Sequence, residues 1–458
     1  MTVTTPTLSA DAKTKIDQIL QSAVDSKEIP ASTFAVATAD LNAEPVYFKA
    51  SGERVFGSPD KGQINEDTVL QLMSMTKLVV TVAALQLVAA GKLTLDDPEI
   101  INKHLPELTS LKIIKSADDA GTDRTKPITL RHLLTHTNGT GYDVMVPLLG
   151  EWAKKHSHPG VFASNATVQT FELPLIFEPG TAWNYSLGLD WGGILIERVT
   201  GQSLDSYFKE NIFKPLGADS LTFVPTEKHY ERLQQVVTRD AEKKLTVFPG
   251  IRETAPEKVK GQASGGAGLY GTARDYLRFL QGILRSAQPG GILPPEYTEL
   301  IFSNQLPKAP EGTFKGQYEF AALIPHIDPA LVANGGLSHS LGGYLTTQDS
   351  KWGRKAGSDF WEGESAAVAS VVAMASTTWY TLTHRHLQDV LLDGPQDGHR
   401  GHVLDAVLQL WRPDRPPGEG VQPARAGAVR RSAVGCLRSS SVGVPLPRPM
   451  SLGISSSL

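Results

Sequence analysis

Ser74-Met75-Thr76-Lys77 places a hydroxyl and an amine three residues apart, directly before the apolar run Leu78 to Ala90. If that run is a helix, Ser74 stands at its start and Lys77 follows one turn on, on the same face. A hydroxyl beside an amine is a nucleophile with its own base, and the free N–H groups of a helix N-terminus suit a developing oxyanion. An amine walled by apolar groups loses preference for its charged form and can accept a proton near neutral pH. A second tetrad, Ser206-Tyr207-Phe208-Lys209, has the same spacing but reads as part of an amphipathic surface helix from Leu204 to Phe213. Context separates the two. A strand-like Thr68-Val69-Leu70-Gln71-Leu72 leads into Ser74 and a buried helix leads out, and such a junction presents a side chain into a cleft.

Other elements must position this pair. Ser9 is a plausible N-cap for a helix with apolar face Ile16, Ile19, Leu20 and Val24. Strand-like runs follow at Thr33 to Thr38 and Val46 to Ala50. Gly91 fits the end of the buried helix. Leu130 to Leu134 reads as a short helix, and Glu178-Pro179-Gly180 as a turn delivering Trp183-Asn184-Tyr185-Ser186. Helices are expected from Leu187 to Thr200 and near Thr272 to Leu284, the latter after the glycine-rich Ser264-Gly265-Gly266-Ala267-Gly268.

The 458 residues are 40% hydrophobic and 20% charged, which is ordinary for a soluble globular protein. A net charge of -4 points to neither nucleic acid nor an acidic membrane. Cys436 is the sole cysteine, which excludes an internal disulfide and a cysteine-based zinc site. The N-terminus has no basic or apolar signal region, and the run Leu78 to Ala90 is too short to span a bilayer. The expectation is a cytoplasmic enzyme.

Composition changes sharply late in the chain. All 24 lysines lie at or before Lys355, while the last 103 residues carry 9 of the 20 arginines and no phenylalanine follows Phe360. From Arg412 the text is rich in Arg, Pro, Ser, Gly and Val without periodicity. A shifted frame or a read-through intron shortly after Trp361 explains this better than a natural disordered tail. Val368 to Met374 is one candidate strand beyond that point and Val403 to Trp411 one candidate helix.

Several segments together resemble the serine β-lactamase and penicillin-binding-protein superfamily. They are Ser74-x-x-Lys77, Leu133-Leu134-Thr135-His136-Thr137-Asn138-Gly139, Glu178-Pro179-Gly180 with Tyr185-Ser186, Pro215-Leu216-Gly217, and Gly266-Ala267-Gly268-Leu269 with Thr272-Ala273 and Asp275-Tyr276. The branch is that of class C-like esterases and fungal lovastatin-type acyltransferases, and the resemblance covers roughly residues 10–363. It implies an α+β fold: an antiparallel sheet flanked by helices, with a mostly helical insertion and N-terminal strands paired to C-terminal ones. The catalytic domain is expected over 1–380, with its sheet part at about 1–70 and 320–380 and its helical part at about 71–320. Residues 381–458 are expected to be an aberrant or disordered tail. The resemblance makes Ser74 the acylated nucleophile, Lys77 its base and Tyr185 the catalytic tyrosine, ionising between two cations below its usual pKa of about 10. It makes Tyr142 a substrate-pocket residue.

Departures from the penicillin-recognising pattern narrow the expectation. Tyr185-Ser186-Leu187 lacks the asparagine of Y-x-N, and Trp361-Glu362-Gly363 stands where K-T-G would be. A tryptophan cannot anchor a carboxylate by charge but can pack on an apolar acyl group. The backbone N–H of Glu364 would pair with that of Ser74 as the oxyanion hole. These features favour transfer of an acyl group from a small ester or thioester, or from a carrier protein, to a hydroxyl of a secondary metabolite. Ester hydrolysis comes next, then a non-catalytic scaffold, and β-lactam cleavage is disfavoured. No cofactor, metal, nucleic-acid or membrane partner is expected. His384, His386, His399, His402 and Asp389 lack the spacing of a familiar zinc hydrolase. No G-x-S-x-G marks an α/β-hydrolase, and the Gly265-Gly266 turn lacks the lysine of a phosphate loop.

Overall fold

The computed structural model describes residues 9–361, except 28, 164–165, 241, 243, 249–260, 311, 325–326 and 352–355, together with the strand Tyr380–Thr383. The expected strand at Val368 to Met374, the helix at Val403 to Trp411 and the histidine group lie outside the described residues, as do the proposed frame change and the tail, except that 381–383 of the expected tail belong to the strand Tyr380–Thr383.

The helix Thr76–Ala89 is the centre of the fold. Its residues from Thr76 to Leu85 are all buried, so it is apolar nearly all round, the pattern of a helix enclosed by its own protein. The helix Gly188–Thr200 packs beside it, with Gly192 facing Val80. Gly188 allows its close approach to the Leu130–Leu134 helix, since a Cβ there would fall 2.1 Å from the Leu133 carbonyl oxygen. Leu130–Leu134 forms as expected, capped by Thr129, whose side chain accepts from the His132 N–H. Ser9 likewise caps Ala10–Asp25.

The strand ladders among the described residues are antiparallel, and Val69 adds an isolated parallel bridge to Leu233. Leu337–His339, Tyr344–Thr346, Ser358–Trp361 and Tyr380–Thr383 make a four-stranded sheet in sequence order. Ala31–Val36 pairs with Tyr47–Gly52 as a separate ladder. The expected pairing of these N-terminal strands with C-terminal ones is therefore not formed among the described residues. Val69–Gln71 pairs with Tyr270–Thr272, which ties the lead-in to Ser74 to the glycine-rich turn before it.

Two local departures have physical causes. The central helix does not begin at Ser74: Met73–Met75 is a 3₁₀ turn and the α-helix starts at Thr76. Met73 stands at φ 47°, a left-handed conformation that side chains other than glycine rarely adopt, and this forces the chain round sharply before Ser74. Residues 204–213 are not one α-helix either. The α-helix Leu204–Phe208 widens into the π turn Lys209–Phe213 ahead of Pro215, which has no N–H to donate backwards. The Asn211 carbonyl accepts from Gln86 of the central helix instead. No helix among the described residues is long and apolar enough to cross a membrane.

Candidate active site

The strained turn at Met73 is pinned from several sides. Thr76 Oγ1 donates to the Met73 carbonyl at 2.6 Å and accepts from the Leu269 N–H at 3.1 Å. Tyr276 Oη donates to the Met75 carbonyl at 2.9 Å. Ser74 is thereby held in a buried position, 5% exposed. Its Oγ lies 2.6 Å from Tyr185 Oη and 3.0 Å from Lys77 Nζ, which donates to it. Lys77 Nζ also donates to the Gly266 carbonyl at 2.7 Å and sits 4.7 Å from the Tyr185 ring centroid. The Ser74 N–H donates to no group among the described residues.

Burial lowers Lys77 from 10.5 to about 7, while the Asp190 carboxylate pulls the other way. Near neutral pH a large fraction of the amine is therefore free to take a proton from Ser74. A cost in stability follows. Between about pH 7 and 10.5 the unfolded lysine keeps a proton that the folded one has lost, so stability rises with pH across that window, and below about pH 7 the penalty is complete. Lys77→Met should be more stable than the parent at pH 6, by at most on the order of 5 kcal/mol and less the two hydrogen bonds lost. That advantage should shrink steadily towards pH 10. Urea melts of both proteins at pH 6 and pH 9 measure it, and an advantage that does not change with pH would refute the assignment.

Asp190, in the first turn of Gly188–Thr200, is 1% exposed. Its Oδ1 accepts from Ser264 Oγ at 2.6 Å and from the Gly266 N–H at 2.9 Å, and its Oδ2 from Tyr142 Oη at 3.2 Å. It therefore fixes the turn whose Gly266 carbonyl grips Lys77. A Cβ at Gly266 would fall 2.4 Å from Asp190 Oδ2, so only glycine fits there. Burial and Asp190 hold the Tyr142 phenol well above its ordinary pKa, which keeps it a neutral donor. The Tyr142 ring stacks on Tyr185 at 5.2 Å, and the half-buried Phe320 stacks on Tyr185 at 5.0 Å.

Tyr185 is positioned by the backbone next to it. The Ser186 N–H donates to His136 Nδ1 at 3.1 Å, and Ser186 Oγ accepts from Asn138 Nδ2 at 2.8 Å. Burial, then the neighbouring His339 and Lys77, push His136 well below the usual histidine range, so it is a neutral ring. Trp361 is 5% exposed and packed against Tyr344 and His136, with ring centroids at 5.3 and 5.6 Å.

The segment 16–344 matches the protein-family model described as Beta-lactamase. The chain belongs to the beta-lactamase family. Within it, the chain falls in the acyltransferase and esterase branch. It is 32% identical over 340 residues to a lovastatin esterase of Penicillium rubens, covering 73% of this chain and 83% of that one. It is 30% identical over 375 residues to a monacolin J acid methylbutanoyltransferase of Aspergillus terreus, covering 78% and 86%. Among solved structures it resembles unliganded simvastatin synthase (LovD) from Aspergillus terreus with a TM-score of 0.63 and 28% identity, covering 78% of this chain and 88% of that one.

Of the site residues expected for a beta-lactamase family member, Ser74, Lys77, Tyr185, Tyr142 and Trp361 converge in the structure. Gly363 and Glu364 lie outside the described residues. Ser206 does not join the site: it is exposed, bonded to Ser203 Oγ at 3.0 Å, and Lys209 turns to Asp205 at 2.7 Å. His136, whose ring lies 4.9 Å from that of Tyr185, does not supply the expected second cation, because burial keeps it neutral. Trp361 is buried beneath the site, not displayed as an open wall. Asp190, Gly266, His136, His339 and Phe320 were not expected as site residues. The one available signal for Asp190 was an acid in the first helical turn, five residues after Tyr185, which ordinarily reads as a favourable pairing with the helix dipole.

Proposed function

We propose that the protein transfers an acyl group through an acyl–Ser74 intermediate onto a hydroxyl of a small secondary metabolite. The observation that carries this reading is Ser74 Oγ within hydrogen-bond reach of both Lys77 Nζ and Tyr185 Oη. Neutral Lys77 takes the Ser74 proton as Oγ attacks the ester or thioester carbonyl. The Ser74 N–H, with that of Glu364 as its expected partner, receives the oxyanion. The proton held by Lys77 passes through Tyr185 to the leaving alcohol or thiol, and the acyl–Ser74 ester remains. An acceptor hydroxyl then repeats the sequence in reverse, giving up its proton to the same pair and releasing Ser74.

Water in place of that hydroxyl turns the same site into an esterase. The similarity to a lovastatin esterase keeps that second reading in play. The donor in this reading is a small-molecule ester or thioester, and a carrier-bound thioester delivers the same carbonyl. A cytoplasmic setting is part of the proposal. Incubation with a p-nitrophenyl ester should add one acyl group to the intact mass. Added alcohol acceptors should raise p-nitrophenol release and appear as new esters. A protein that never gains the acyl mass would sink the proposal, and one that gains it but yields only free acid with every acceptor is the hydrolase.

A further inference from the structure

Beneath Lys77 lies a small cavity with room for about one water, walled in part by Lys77, His136, His339, Leu341, Gly343 and Trp361. His339 is 1% exposed. Its Nδ1 lies 2.6 Å from the Ser340 carbonyl oxygen, and a carbonyl only accepts, so the ring proton is on Nδ1. Nε2 is then a bare acceptor, buried and without a hydrogen-bond partner among the described residues. The Trp361 indole N–H is its complement, a buried donor without an acceptor among the described residues. Lys77 has a further N–H beyond its bonds to Ser74 Oγ and the Gly266 carbonyl when it is protonated. Buried polar groups of this kind are matched by internal water when a polar, roomy site adjoins them.

We propose that this cavity is a built site for one water, which accepts from Lys77 and Trp361, donates to His339 Nε2, and lets His339 act as a positioning residue for the catalytic lysine. When Lys77 takes the Ser74 proton it becomes an ammonium with three N–H donors. Two go to Ser74 Oγ and the Gly266 carbonyl, and the third goes to the water, whose own proton is held by His339. The water and His339 thus stabilise the ammonium more than the free amine. No bond to carbon is involved and no net proton leaves the site.

The inference rests on Lys77 acting as base, so its test includes readings independent of turnover. The ionisable groups around Lys77 are His136, Tyr142, Tyr185, Asp190 and His339. His339→Phe keeps an aromatic wall and deletes the acceptor, whereas His339→Gln restores an acceptor near the Nε2 position. In the Phe variant the rising limb of the kcat/KM–pH profile should move down by roughly half to one pH unit, the size of one net hydrogen bond, and the Gln variant should return most of the shift. A high-resolution structure of the unaltered full chain should show solvent density within hydrogen-bond reach of both His339 Nε2 and Lys77 Nζ. A dry cavity, or a folded Phe variant with an unmoved limb, overturns the proposal. If the Phe variant does not fold, the density alone decides. Acylation of Ser74 by an activated ester is followed in parallel by intact mass. Its absence in the parent would indict the acyl–Ser74 reading, while its presence with a dry cavity indicts only the water site.

Discussion

Ser74→Ala should leave no covalent adduct with p-nitrophenyl esters or serine-directed phosphonates and should reduce ester turnover by at least roughly 10³-fold. The hydroxyl removed is within reach of both Lys77 Nζ and Tyr185 Oη, at 3.0 and 2.6 Å. An alanine there leaves the base and the phenol facing a methyl group. The fold should persist, because the junction is held by Thr76, Tyr276 and the strand pairing of Val69–Gln71 and not by Ser74 Oγ. Ser206→Ala is the matched control. It alters the same tetrad spacing at an exposed position whose lysine is already paired with Asp205, so adduct formation should match the parent. Mass spectrometry of the intact protein and its peptides locates the adduct. An adduct on another serine of the cleft in the Ser74→Ala protein would remove Ser74 from its proposed role.

Lys77→Ala and Tyr185→Phe should each lower turnover by at least about 10²-fold, and the double change should cost far less than the product of the two. Both groups bond to one oxygen, and the Lys77 head sits over the Tyr185 ring at 4.7 Å. In the proposed mechanism they move one proton along one path, so once either is gone the other has little left to do. Groups in direct contact are the ones whose effects fail to add. Steady-state kinetics of the four proteins near pH 7.5 give the coupling directly. Losses that simply multiply would mean that lysine and tyrosine serve separate steps.

The depressed Lys77 pKa links these results to stability. The same burial that would make the amine a base near neutrality makes the folded protein carry a net cost, so a site suited to proton transfer opposes stability at the pH where it would work. Asp190 limits that cost in two ways. Its negative charge raises the lysine's proton affinity, and its hydrogen bonds to Ser264 and Gly266 hold the carbonyl that grips the amine.

What could be read in the sequence was what short spacing determines. Ser74 and Lys77 are three residues apart, and any helical turn brings such a pair onto one face, so their contact was legible before any fold was known. The short Leu130–Leu134 helix and the cap at Ser9 followed from equally local rules. The resemblance carried Tyr185 into the site without explaining what holds it there. The tertiary structure alone decided the rest. Tyr185 meets Ser74 across 111 residues, and Gly266 meets Lys77 across 189. Periodicity carries no information about such separations, because long-range contacts depend on how buried faces pack. Asp190 shows the limit most clearly. In sequence it is an acid at a helix start, where solvent and the helix dipole are its natural company. In the fold it is 1% exposed, and burial leaves a carboxylate no choice but to find donors, which it does at Ser264, Gly266 and Tyr142.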